Sequence, residues 1–194
     1  MKPLVIDLFC GLGGWARGFI AEGWACIGID IQPQPEYPGL FYQADVIEVA
    51  DCMEEGTRGW LPLMRFASIV VASPPCDDFS RWDQPWPNVI KNRREPDRRP
   101  WEAAERIARV IGCPLLIENV RGAQKFMGPA RAHFGKQYLW GDVPALLPRI
   151  NGAQNEGRQK QSLPSTAKAR RAMVPFPLAQ HIARVFKPSE ARAG

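Results

Sequence analysis

The chain predicts an α/β fold, a mostly parallel sheet with helices on both faces, and three strand ends predict it. Leu4–Phe9 is an apolar run that breaks at Cys10-Gly11-Leu12-Gly13-Gly14 and resumes as helical sequence from Trp15 to Ala21. Residues 68–73 form a second apolar, β-branched run that stops at Pro74-Pro75, with Cys76 immediately beyond. Leu115-Leu116-Ile117 ends in Glu118-Asn119-Val120. Strands that alternate with turns and amphipathic segments build parallel βαβ units, and such sheets bind ligands at the carboxyl ends of their strands.

The elements follow in order. The first strand feeds a glycine-rich turn, where backbone without Cβ atoms can approach a nucleotide closely. Its Gly-x-Gly-Gly spacing differs from the Gly-x-Gly-x-x-Gly of dinucleotide sites, and no Gly-Lys-Ser/Thr follows. A second strand, Ala25–Ile29, ends at Asp30, which is placed to accept hydrogen bonds from ribose hydroxyls. A plain βαβ turn with an exposed Asp is the alternative. The cofactor suggested is a nucleoside without a pyrophosphate, and S-adenosylmethionine fits. A third strand precedes Gln43-Ala44-Asp45-Val46, and Met53–Met64 holds a partial helix and turn. In Pro100–Ile111, Ala104, Ile107, Ala108 and Ile111 recur at helical spacing. Gly135–Asp142 reads as strand and turn, and Pro177–Phe186 as a final helix in which His181 is a surface or packing residue.

Two residues at strand ends carry chemistry. Prolines cannot continue a ladder, so Cys76 is presented on a stiff loop; it is either a nucleophile or a small packed residue. Glu118 is either a partly desolvated carboxyl able to donate a proton or a structural cap for the next segment.

Asp7-Leu8-Phe9-Cys10-Gly11-Leu12-Gly13-Gly14, then Pro74-Pro75-Cys76 with Phe79-Ser80, then Glu118-Asn119-Val120 resemble, in order and spacing, the motifs of the cytosine-C5 DNA methyltransferases. The resemblance covers residues 1–125, and the segment 169–183 is similar to the tail of short, phage-type members. It implies a Rossmann-like class I fold that uses S-adenosylmethionine to methylate C5 of cytosine in DNA. Cys76 would be the nucleophile that adds to C6, with Glu118 holding the ring at N3 and its exocyclic amine. Asn119 and Pro75 would support that geometry. Asp7, Phe9, Gly11, Gly13, Gly14 and Pro74 would build the cofactor site, Asp30 would take the ribose, Asp45 the adenine amine, and Ile31 the adenine face. A base inside a duplex cannot reach such a pocket, so the target nucleotide would be flipped out. The same motifs occur in tRNA-modifying relatives, so the same chemistry on RNA or with a modified transferred group is one alternative, and a silent cofactor- or nucleic-acid-binding regulatory module is the alternative from another class.

This chain departs from the family at three places. Asp77-Asp78 follow the nucleophile where an amide is usual, and two carboxylates oppose thiolate formation unless they turn outward or meet cations. No Gln-x-Arg-x-Arg motif is present to hold the flipped base; Lys136 or Arg131 would substitute. The Asn-Ser-Val-Pro element is absent as well. Full-size members carry a separate target-recognition region, whereas about 50 residues follow Trp140 here. Recognition is therefore expected to be short, loop-borne or supplied by an accessory protein.

Composition bounds the rest. The 194 residues suit one domain, divided as a catalytic part, 1–148, a basic flexible segment, 149–171, and a closing helical part, 172–194. The net charge of +5 concentrates in Arg93, Arg94, Arg98 and Arg99, interleaved with Trp82, Trp86 and Trp101, and in a second segment that includes Arg170 and Arg171. Basic residues among aromatics suit phosphate contacts and base stacking; a solvated loop with core tryptophans is the alternative. Ser80 and Lys136 join the nucleic-acid contacts by position. Five cysteines without metal spacing, two histidines remote from them in sequence, no signal peptide and no apolar span point to a reducing cytoplasm, with no metal or membrane.

Overall fold

A computed structural model describes residues 2–57, 59–82, 95–145 and 173–188. Arg93, Arg94, Arg170 and Arg171, with Trp86 and the segment 149–171, lie outside them. The strands are β1 (Leu4–Leu8), β2 (Ala25–Asp30), β3 (Leu40–Gln43), β4 (Ala67–Ala72), β5 (Leu115–Asn119), β6 (Ala132–Phe134) and β7 (Gln137–Gly141). They form one seven-stranded sheet in the order β3-β2-β1-β4-β5-β7-β6. The first five run parallel, and β7 inserts antiparallel between β5 and β6. This is the Rossmann-like α/β arrangement expected, with its strand order reversing at β1, where an open sheet leaves a crevice.

Two apolar layers cover the sheet. On one face α1 (Gly14–Ala21) and α7 (Phe176–Phe186) pack over Val5, Ile69, Val71 and Leu116. On the other, α2 (Val46–Glu54), α3 (Trp60–Met64) and α5 (Arg99–Ile111) pack over Ile6, Leu8, Val70 and Ile117. The strands are buried on both sides, which is why they read as continuous apolar runs rather than alternating ones. Short helices α4 (Asp77–Arg81) and α6 (Gln124–Met127) lie beyond β4 and β5.

Local rules explain most boundaries. Pro100 stands in the first turn of α5, where its missing N–H costs nothing, and Gly112 closes it in the left-handed conformation. Helix α2 begins earlier than the Met53–Met64 reading allowed. Asp45 caps it, its carboxylate accepting the Ile47 N–H at 2.8 Å. Trp101 belongs to the core: it is buried edge-on to Trp140 at 5.0 Å between centroids, and its indole N–H donates to Glu105. Base stacking by that tryptophan is thereby replaced by packing.

Candidate active site

The glycine loop after β1 forms the floor of the crevice. Asp30, at the tip of β2, accepts the Gly11 N–H on one carboxylate oxygen and the Gln32 N–H on the other, both at 2.9 Å. It therefore fixes the loop, and each oxygen keeps a second lone pair for a ligand hydroxyl. Phe9 holds a left-handed φ of 57° without being glycine, a strained conformation of the kind that gathers at ligand sites. Phe9, Gly11 and Gly14 line a cavity of about 210 Å³ together with Trp15 and Ser73. Gly13 packs instead against Pro38 and Tyr37. Asp7 lies wholly buried behind the loop, away from the cavity wall, and accepts the Tyr37 hydroxyl at 3.2 Å. Burial raises its carboxyl well above the ordinary range.

The C-terminal segment completes this cavity. Met173 and Val174 form its far wall, and a Cβ on Gly14 would meet the Val174 backbone nitrogen at 2.8 Å. The sequence reading gave this segment no role at the cavity, although Val174-Pro175 stand directly ahead of α7 and Val174 closes on the loop.

At the ends of β4 and β5 the reactive groups converge. Cys76 is half-buried just ahead of α4. Burial pushes its thiol up, and the charges of Asp77 and Glu118 push it further, while nearby Ser80 draws it down. The Ser80 hydroxyl donates to the Cys76 carbonyl at 2.9 Å, so here it stiffens the first turn. Asp78 meets Arg81 at 3.8 Å, and exposed Asp77 acts on the thiol through its charge.

Glu118 is 8% exposed, and burial raises its carboxyl to about 7 against the opposing pull of Ser73 and of Lys136. Lys136 sits in the exposed turn between β6 and β7. Because β7 begins opposite the end of β5, with Asn119 paired to Tyr138, that turn overhangs the crevice. Asn119 is buried, and its side-chain amide donates to the Pro74 carbonyl at 3.0 Å. It staples the Pro-Pro loop to β5, leaving Pro75 exposed beside Cys76.

The remaining residues are more dispersed. Ile31 is 57% exposed at the crevice rim. Arg98 lies over the Phe126 ring, and Arg99 chelates Asp97, its ion pair closing at 2.7 Å. Arg99 opens α5 and Arg98 caps it, and both have intramolecular partners. Sequence reasoning missed Ser73, although it stood in the quoted run directly before the two prolines. It also missed Gln137, which is 4% exposed and shares a sheet face with Glu118 through the Glu118–Leu139 pairing.

The fold and site define an open α/β protein whose ligand crevice holds a glycine loop, a thiol and a protonatable carboxyl. No protein-family model matches the chain, and no curated protein matches it in sequence. Among solved structures it is similar to a DNA modification methyltransferase encoded within an E. coli prophage (20% identity, TM-score 0.42), covering 65% of this chain and 34% of that one. A Spodoptera frugiperda DNMT2 variant (15%, 0.40) overlaps 64% of this chain and 37% of its own. S. pombe Dnmt2 (18%, 0.38) overlaps 64% and 36%. The chain thus spans about a third of the length of the proteins it matches.

Proposed function

We propose that this protein transfers a methyl group from S-adenosylmethionine to C5 of cytosine in DNA. The observation that carries the reading is the pairing of a loop thiol, Cys76, with a buried carboxyl, Glu118, whose midpoint of about 7 lets it give and take a proton at neutral pH.

The cavity fits the cofactor by its chemistry. Phe9 and Trp15 offer aromatic walls, Gly11 leaves open space for close backbone approach, and Asp30, which anchors Gly11, would take the ribose hydroxyls. For the adenine the reading assigns Asp45 and Ile31, neither of which lines that cavity. When bound, the cofactor supplies an electrophilic methyl on sulfur.

The chain's residues then divide the work. The Cys76 thiol first loses its proton to solvent. The thiolate then forms a bond to C6 of the flipped base while Glu118 gives its proton to N3, so no net charge builds on the ring. Protonated Glu118 also no longer repels the thiolate, which offsets one of the two charges that hold the thiol up. C5, now part of an enamine, takes the methyl. A base or water removes the C5 proton, the C6–sulfur bond breaks, and N3 returns its proton to Glu118. Asn119 keeps the Pro74–Cys76 loop against β5 throughout. Lys136, in the turn above the crevice, would stand in for the missing arginine motif, and Ser80, Arg98 and Arg99 are assigned to contacts with the nucleic acid.

The test is transfer from labelled S-adenosylmethionine into unmethylated mixed-sequence DNA, digested and read by mass spectrometry. A 5-methyldeoxycytidine peak that disappears in Cys76→Ser, with cofactor binding retained, is the expected result. Product only on tRNA would move the substrate to RNA. Full activity in Cys76→Ser would overturn the covalent mechanism.

A further inference from the structure

Ser73 lies where the cofactor cavity and the base pocket meet. It directly follows β4, and the parallel register Ala72–Ile117 sets it beside Glu118 on β5. Ala72 and Ile117 face one apolar layer, so their successors both turn to the opposite face, toward α1. From α1 the Trp15 indole N–H reaches down and donates to the Ser73 oxygen at 3.2 Å. An indole nitrogen only donates, so Ser73 must act there as acceptor, and its own O–H is directed elsewhere. The carboxylate beside it is the available acceptor.

We infer that Ser73, gripped by Trp15, is a positioning residue that fixes the Glu118 carboxyl and leaves the oxygen facing the crevice as the one that carries the proton. The hydroxyl donates to the inner oxygen, whose lone pair is then engaged. The transferable proton is left on the outer oxygen, where ring N3 would lie. The other groups around Glu118 do not duplicate this. Lys136 acts through charge from the exposed β6–β7 turn. The Cys76 thiol stands on its own loop ahead of α4 and feels Glu118 through charge. Asp7, on the same face of β1, is engaged by Tyr37. The same Ser73 and Trp15 line the cofactor cavity, so one hydrogen-bonded pair touches both halves of the reaction.

The role of the proton rests on the methyltransferase reading, but the hydrogen bond does not, and two readouts separate them. The first is the titration of Glu118 followed by carbon-13 NMR of the labelled carboxyl in the free full-length chain. Ser73 holds the carboxyl down, so Ser73→Ala should raise its midpoint by on the order of one pH unit. Ser73→Thr, which keeps the hydroxyl, should restore it, and Trp15→Phe should fall between. The second is the pH profile of methyl transfer, whose alkaline limb should move upward by the same amount in Ser73→Ala and return in Ser73→Thr.

An unmoved Glu118 midpoint in Ser73→Ala overturns the inference, even if the variant is slower. A shifted midpoint with no transfer by the native chain on any nucleic acid overturns the proposed function and leaves the positioning role standing. A shifted midpoint with an unmoved alkaline limb removes Ser73 from the chemistry.

Discussion

Glu118 and Cys76 each sit where their charged form is disfavoured, and each consequence can be measured. Glu118 keeps its proton to about pH 7 in the fold but loses it near 4.5 when unfolded. Between those values the unfolded chain binds fewer protons than the native one, so stability falls as pH rises through that window. Glu118→Gln removes the ionisation and should therefore stabilise the protein at pH 8.5 by about 3 kcal/mol. Urea titrations should show that advantage shrinking below pH 7 and vanishing near pH 4; a pH-independent difference would sink the assignment. Cys76 gives the complementary test. Asp77 holds its thiol up by charge, so Asp77→Asn should increase the thiolate fraction and the alkylation rate at pH 8 by about threefold. Asp78→Asn should do less, because the charges that hold the thiol up are those of Asp77 and Glu118. Peptide-resolved mass spectrometry after iodoacetamide labelling reads both, and equal rates in the two variants would remove the role given to Asp77.

At the scale of elements, the loop that carries the thiol is tied to β5 by one side chain, Asn119. Asn119→Ala would leave the buried Pro74 carbonyl without its 3.0 Å donor. The cost should be about 1–3 kcal/mol, read as a lower melting temperature. Transfer should drop by more than that stability loss alone explains, because Cys76 would wander from Glu118. Unchanged turnover would mean that the prolines alone suffice. Which elements the sequence betrayed follows from which physics was local. The parallel strands were legible because burial on both faces leaves unbroken apolar runs bounded by glycine or proline. The thiol and carboxyl were legible because both stand at the strand ends themselves. The start of α2 was not, since Asp45 suggests a ligand contact as readily as the cap it forms. Trp101 was ambiguous for a similar reason: a tryptophan among arginines reads as a stacking platform until the Trp140 ring is found against it. Ser73 was missed because its meaning depends on Trp15, 58 residues away in the chain.

At the scale of the whole molecule, α1 and α7 pack together beside the cavity proposed for the cofactor. Leu178, Ala179, Ile182 and Ala183 of α7 are fully buried, largely against α1. The Trp24 indole donates to the Ala183 carbonyl, and Glu22 receives Arg184 and Gln180. The closeness of the two helices depends on Gly18: a Cβ there would stand 2.5 Å from both the Ala179 side chain and the Gln180 backbone nitrogen. Met173 and Val174 enter the cavity directly ahead of α7, so the docking of that helix sets the position of the cavity wall. Gly18→Ala gains helix propensity of roughly 1 kcal/mol in α1, but overpacking of about 1–3 kcal/mol should outweigh it. It should lower the melting temperature and, by displacing Val174 from Gly14, weaken S-adenosylmethionine binding several-fold without touching the cofactor. Ile107→Val, a small cavity in the opposite apolar layer, supplies the comparison: it should cost about 1 kcal/mol and leave the affinity alone. Calorimetric titration of both variants, beside their melting curves, decides the matter. If Gly18→Ala binds the cofactor as tightly as Ile107→Val does, the C-terminal helix is a structural prop and the cavity is built by the glycine loop alone.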